Sequence, residues 1–224
     1  MGVNPWLKPM KFAFSIAIFV WTLALLMRYT AGPARIRKMI AGGVCVAMLV
    51  EIVCISVQAA RGTTSHYNIS TTFDAVVFGL MGLMILFNTL LVFAVAILFI
   101  WSENDLAAPI RLGIVFGFLL FLLGSAEGFL MIINQGHTVG AYDGGPGLPV
   151  FNWSTTAGDM RVPHAVGLHA LQILPLMGWL ISRKLGRLPR SAQLLVMTIL
   201  SLGYAGGLAF LFRQASAGRP LLGL

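Results

Sequence analysis

Charge is scarce in this chain. Only 10% of its 224 residues are Asp, Glu, Lys or Arg, against roughly a quarter in ordinary globular domains. With 58% hydrophobic residues and a mean hydropathy of +0.89, there is too little polar surface to cover a water-soluble fold. Cysteine is nearly absent as well. Cys45 and Cys54 share one apolar run, with neither a CxxC nor a Cys/His zinc spacing, which argues against a disulfide framework or a thiolate metal centre; both are read as small buried hydrophobes. A Walker A sequence, a dinucleotide fingerprint, a GxSxG elbow, an HExxH and a voltage-sensor arginine pattern are all missing. Their absence argues against ATP-driven transport by this chain alone.

What remains is apolar sequence in long runs. Each membrane crossing needs about 20 apolar residues, and runs fall at residues 11–28, 39–60, 74–101, 110–134, 164–181 and 193–212. The expected fold is all-α: an integral membrane bundle of about six transmembrane helices forming a single domain over residues 1–224. Backbone facing lipid must satisfy its own hydrogen bonds, which leaves helices as the spanning elements. Lys8 and Lys11 before the first run give the N-terminus a superficial likeness to a secretion signal. The run is long for that purpose and lacks a clear cleavage site, so a retained first helix is expected.

The net charge of +8 is a topology signal and not a nucleic-acid signal, because the basic residues flank the apolar runs. Arg28, Arg35, Arg37 and Lys38, then Glu103, Asp105 and Arg111, then Arg183, Lys184, Arg187 and Arg190 occupy three connections on one side. The positive-inside rule makes that side cytoplasmic. Both termini and the connections at about 61–73 and 135–163 then face outward. The second outward connection exceeds the usual loop length, as lids and disordered segments do, while the run from Asp143 to Pro149 carries defined turn signals. Two Asn-x-Ser sequons, at Asn68 and Asn152, are read as coincidental.

All four histidines, His66, His137, His164 and His169, belong to the outward half. His164 and His169 are five residues apart, about 140° around a helix, so they do not form a same-face i, i+4 pair; His169 and Gln172 share a face. Glu51 and Glu127 lie inside apolar runs, where ionisable groups are costly and usually face a bundle interior or a wet cavity. Each precedes an amide by seven residues, Gln58 and Asn134, on the same helical face. At 1.5 Å per residue, Glu51 lies about 15 Å below Arg61, Glu127 about 12 Å below Gln135 and His169 about 8 Å below His164. Glu51, Asp74, Glu127, Gln172, His164 and His169 are therefore candidates to line one outward-opening cavity.

Several chemistries fit that set. His164 and His169 with carboxylates suit a divalent metal, and haem is a further version if two ligands converge. Alternatively Glu51 and Glu127 are proton sites of a small secondary transporter, against which counts the scarcity of polar lining toward the cytoplasmic face beyond Asn88. A third alternative is a non-catalytic accessory subunit whose loops dock a partner. Against these stand plainer roles: amide and carboxylate as hydrogen-bonded glue between helices, and histidines bonding within loops. Gly203, Ala205, Gly206 and Gly207 are read as close-packing positions. The pairs Arg61–Asp74 and Asp159–Arg161 are expected to fix the outer loops and, as exposed ion pairs, to add about 0–1 kcal/mol. The partners expected are the lipid bilayer and a second copy or another membrane subunit, with no nucleic acid.

The stretch GHTVGAYDGGPGLPVFNWSTTAGDMRVPHAVGLHALQILP, residues 136–175, resembles a segment of uncharacterised bacterial polytopic membrane proteins, and QAARGTTSHYNISTTFD, residues 58–74, resembles its companion segment. Together they cover about a quarter of the chain. The resemblance implies a multi-pass protein of the bacterial cytoplasmic membrane with the two outer loops paired. It implies no reaction, cofactor or catalytic residue.

Overall fold

Proline and hydroxyl residues set where the helices begin in the computed structural model, which describes residues 4–223. Pro33 and Pro189, in extended conformation, are the N-caps of α2 (Ala34–Ala60) and α6 (Arg190–Ser216). A proline opens α4 (Ala108–Ile133) within its first turn, where its missing N–H costs nothing. Thr71 caps α3 (Thr72–Ile100) by accepting from the Asp74 amide, and returns a hydroxyl proton to the Asp74 carboxylate. Thr71 and Asp74 are thus tied at the N-cap and N3 positions, with the hydroxyl donating where a capping box would use the N-cap amide. With α1 (Leu7–Met27) and α5 (Arg161–Lys184), six helices are long and apolar enough to cross a membrane. The chain is an all-α polytopic membrane protein. Each helix begins two to five residues before its apolar run, and α5 and α6 also end beyond theirs.

The helices divide into two compact units, Met1–Asn104 and Asp105–Leu224. In the first, α2 packs against both α1 and α3. Its core near the α2–α3 connection is Cys54, Ile55, Val77 and Met81, with Phe12 and Val50 against them. Arg37 secures the opposite end by donating to the Thr30 and Gly32 carbonyls at 3.2 and 3.0 Å. Cys54 is buried as expected, whereas Cys45 lies on the exposed face of α2.

In the second unit α4 and α5 run against each other along a glycine seam. A Cβ on Gly124 would stand 2.8 Å from the Gly167 Cα, and one on Gly167 would stand 2.6 Å from the Gly124 Cα. Further along, Gly117 faces the Ala170 carbonyl, Gly113 the Leu174 carbonyl, and Gly178 the Pro109 carbonyl. Close approach of small residues is how membrane helices gain packing energy, since lipid supplies no hydrophobic drive between them. Leu120, Ala170, Leu174, Met197 and Leu208 complete this core with α6. The glycines of α6 differ from expectation: a Cβ at Gly203, Gly206 or Gly207 would meet nothing within 4 Å.

The long connection of the second unit is ordered by a small hairpin. β1 (Thr138–Val139) pairs antiparallel with β2 (Gly158–Asp159), Thr138 opposite Asp159, and a bridge joins Gly147 to Ser154. Gly158 is required there, because a Cβ would collide with the Ala215 carbonyl of α6.

Candidate functional site

In the first unit the buried face of α2 carries Glu51, Cys54, Ile55 and Gln58 toward the neighbouring helices. Near the helix end, Gln58 Nε2 donates to Asp74 Oδ1 at 2.8 Å, and Arg61 donates to both Gln58 Oε1 and Asp74 Oδ1 at 2.5 Å. Thr71 donates to the other Asp74 oxygen at 2.6 Å. The Arg61 guanidinium also lies 4.5 Å from the centre of the Phe73 ring. Asp74 is thus buried and fully engaged in holding the α2–α3 connection, and its carboxylate has no oxygen to spare for a ligand.

Glu51, deeper on the same face, is placed differently. Its Oε1 lies 3.9 Å from His66 Nε2, and its Oε2 is buried without a hydrogen-bond partner among the described residues. His66 comes from the connection, where its Nδ1 lies 3.2 Å from Lys8 Nζ and 3.1 Å from Ser65 Oγ. An ammonium can only donate, so Nδ1 is the acceptor and the ring proton sits on Nε2, facing Glu51. Around the imidazole stand the rings of Phe12, Tyr67 and Phe78, with centroids 5.8, 6.1 and 6.4 Å away. Tyr67 holds φ at 57°, a region where a bulky residue is an outlier and persists only when its surroundings fix it.

Asn68 shares this connection and explains its shape. Its amide donates to Thr63 Oγ1 and the Thr64 carbonyl, both at 3.0 Å, and its oxygen accepts from the Ser70 amide and hydroxyl. The sequon nitrogen is consumed inside the loop. Expressed in a glycosylating host, the protein should carry no glycan at Asn68, as peptide mass spectrometry would read, and Asn68→Ala should cost about 1–3 kcal/mol for the partners it orphans. A glycan on the folded protein at that position would contradict this role.

The second unit holds the remaining candidates apart. His164 Nδ1 donates to the Gly124 carbonyl at 2.7 Å, and its ring fills the space over Gly128, where a Cβ would stand 2.9 Å from Cε1. His164 therefore clamps α5 to α4. His169 is exposed on α5. Glu127 is buried with Oε2 unpartnered, as is Gln172 Oε1. No hydrogen bond or ion pair joins Glu127, His164 and His169 to one another among the described residues. Asn134, although on the Glu127 face, is the exposed C-cap of α4.

The connection here is organised by Asp159, which is 1% exposed. It accepts from the Ser154 amide at 2.8 Å, from the Arg161 amide at 3.0 Å and from the Arg161 guanidinium at 2.9 and 2.6 Å, with His137 Nδ1 3.6 Å away. Burial alone would push this carboxyl up, but the bonds from His137, Arg161 and Ser154, with the Arg161 charge, hold it well below the usual carboxylate range. Asp143 receives the His137 and Thr138 amides. Both expected Arg–Asp pairs form, and in both the aspartate is buried where an exposed pair was expected.

Among the described residues no group of three or more His, Cys, Asp or Glu side chains comes together to hold a metal ion. Lys8 has no mark in the sequence as a partner of the site, and His164 and His169 stand out there ahead of His66. The signal for His66 was its place in the connection that directly follows the helix of Glu51, but only the folded loop shows that its ring comes within 3.9 Å of the carboxyl. Comparisons with known protein families, curated proteins and solved structures find no match for the chain.

Proposed function

We propose that this protein is a proton-coupled carrier of the bacterial cytoplasmic membrane, with Glu51 as the exchange site reached from the outer face past Lys8 and His66. The observation that carries the reading is the series Lys8 Nζ, His66 and Glu51, at 3.2 and 3.9 Å, ending in a buried carboxyl oxygen that no described group satisfies. A buried polar atom without a partner is expensive, and ionisable groups within membrane helices usually face the bundle interior or a wet cavity and mark ion and proton pathways. Imidazole is the group best suited to pass a proton at neutral pH. Among the described residues, the charged and titratable groups around Glu51 are Lys8 of α1, His66 of the connection and Cys54 one turn along α2.

Two further features support a carrier. Asn88 of α3 is buried with Oδ1 unpartnered. It lies about 21 Å along the helix from Asp74, against about 15 Å from Arg61 to Glu51, so polar groups continue inward beyond the carboxyl. The basic residues of the connections at 28–38 and 183–190 favour a cytoplasmic position for those connections, which supports the outward position of His66 in this reading. The outward-facing His/carboxylate site of this reading consists of Glu51 and His66, with a proton as its first ligand.

Protein reconstituted on a solid-supported membrane and given an outside pH jump should show a transient displacement of charge as the site loads. Glu51→Gln should abolish it, while Glu127→Gln should leave most of it. A current unchanged in Glu51→Gln would overturn the proposal.

A further inference from the structure

We infer that the connection between α5 and α6 is a binding site for an anionic phospholipid whose headgroup carries two phosphates, held by Arg183, Lys184, Arg187 and Arg190. The inference stands apart from the reading of Glu51, which lies in the other unit.

Four cations fall within eight residues there, and all four are exposed. Arg183 and Lys184 stand in the last turn of α5, Arg187 in the connection and Arg190 at the first position of α6. Among the described residues none of the four makes an ion pair; the two Arg–Asp pairs use Arg61 and Arg161. Like charges set so close together repel one another, and the repulsion is screened least beside a low-dielectric membrane. An anion from outside the chain relieves it. The connection that displays these charges is ordered. The Leu185 and Leu188 amides donate to the Ile181 and Leu185 carbonyls at 2.8 and 2.9 Å, and Gln193 Nε2 donates to the Leu188 carbonyl at 2.9 Å. Gly186 turns so tightly that a Cβ would stand 2.8 Å from the Ser182 carbonyl.

The apolar neighbours select a lipid as the occupant. The Arg183 guanidinium lies 5.3 Å from the centre of the Trp179 ring. Trp179, Leu180 and Leu188 are exposed, and Leu188 sits in the middle of the basic run. Free phosphate or a nucleic acid offers nothing to these side chains, whereas a phospholipid carries its phosphates directly above acyl chains, at the level that tryptophan favours. The number of charges selects the headgroup. A single phosphodiester brings one negative charge to four cations, and a headgroup with two phosphates brings two. Three of the four cations are arginines, whose planar guanidinium binds phosphate through paired N–H groups. Contact with the Trp179 ring steadies Arg183, and no described acceptor takes its N–H groups.

The test is native mass spectrometry of the full-length protein in a neutral detergent, titrated with cardiolipin, phosphatidylglycerol and phosphatidylethanolamine. One cardiolipin per chain should bind saturably, roughly fivefold or more tighter than phosphatidylglycerol for the added phosphate, and phosphatidylethanolamine should show no saturable binding. Arg187→Gln with Arg190→Gln should weaken cardiolipin by roughly twentyfold, at about fivefold per charge removed. Arg187→Lys with Arg190→Lys keeps the charges that guide insertion and should weaken it only about threefold, through loss of the paired N–H groups. Arg35→Gln with Lys38→Gln removes the same charge from the first unit and should leave the affinity unchanged. Inorganic pyrophosphate at the concentration of the lipid should not displace it. Wild-type affinity in the Arg187→Gln, Arg190→Gln protein, with its helical circular dichroism retained, overturns the inference. So does an equal loss in the Arg35→Gln, Lys38→Gln protein, displacement by pyrophosphate, or binding of either single-phosphate lipid as tightly as cardiolipin.

Discussion

Leucine at Gly167 is expected to stop α5 from docking on α4 and to remove the protein from the folded, detergent-soluble pool. The neighbours of a Cβ at this position are the Gly124 Cα at 2.6 Å, the Gly124 nitrogen at 3.1 Å and the Leu120 carbonyl at 3.2 Å. All are backbone atoms of a helix, and no rotamer change can move them aside. Gly124 meets the Gly167 backbone in the same way, so the contact is reciprocal. Even alanine should cost about 1–3 kcal/mol at either position, and leucine more, because the displaced helix also loses the His164–Gly124 hydrogen bond. Thermal unfolding followed by fluorescence-detected size exclusion would read both. Alanine at Gly203, Gly206 or Gly207, which meets open space, is the control and should leave the midpoint unchanged or raise it slightly, since alanine favours the helix. A wild-type midpoint for Gly167→Leu would mean that the seam is not what joins these helices.

The second large effect is expected at Asp159. Asp159→Ala removes the acceptor of two backbone amides and of the Arg161 guanidinium, and leaves a half-buried cation facing orphaned donors. The loss should be roughly 3 kcal/mol, the lower end for breaking a buried pair, since Arg161 keeps some contact with water. It should appear as faster hydrogen exchange and protease cutting within residues 135–163 while the six helices persist. The pH dependence has a definite sign. The carboxyl is held below its usual value in the folded protein, so its stabilisation is complete above the unfolded value of about 3.9. That stabilisation is lost only as pH falls through the lower folded value. The hairpin should therefore resist cutting across the neutral and mildly acidic range and open only below about pH 4. An Asp159→Asn loop as resistant as wild type at pH 7 would show that the charge is dispensable.

Hydropathy made the six helices legible because lipid allows few alternatives to a helix, and the clearest differences at the ends are in α2, α5 and α6, where residues 34–38, 161–163, 182–184 and 213–216 prolong the helix beyond the apolar run. The seven-residue spacing from Glu51 to Gln58 identified a shared buried face, and Gln58 does reach Asp74. The same spacing from Glu127 to Asn134 led elsewhere, because spacing fixes a direction around the axis and says nothing of where a helix ends. Lys8 and His66 were hidden for a different reason. Their meeting depends on a connection that folds back over α2 through the bonds of Asn68 and the left-handed Tyr67, a local arrangement with no periodic signature. The hairpin at Thr138 and Asp159 escaped notice because two-residue strands show no alternation. The prominence given to His164 and His169 followed from their number and chemistry, while their surroundings make one a clamp on a carbonyl and leave the other on an exposed face.

The glycine seam also bears on how the chain is built into the membrane. Helix α5 is the least apolar of the six spans and carries Arg161, His164, His169, Gln172 and Pro175, so its entry into lipid by itself is the weakest. Its partner emerges from the ribosome first, and about 50 residues of connection and helix follow before the pair is complete. At roughly 5–20 residues per second, α4 waits several seconds with Glu127 and a bare glycine face turned to lipid. The α4–α5 pair is complete only once residue 184 has been made, and α5 draws its hold on the bundle from the glycine seam more than from its own hydropathy.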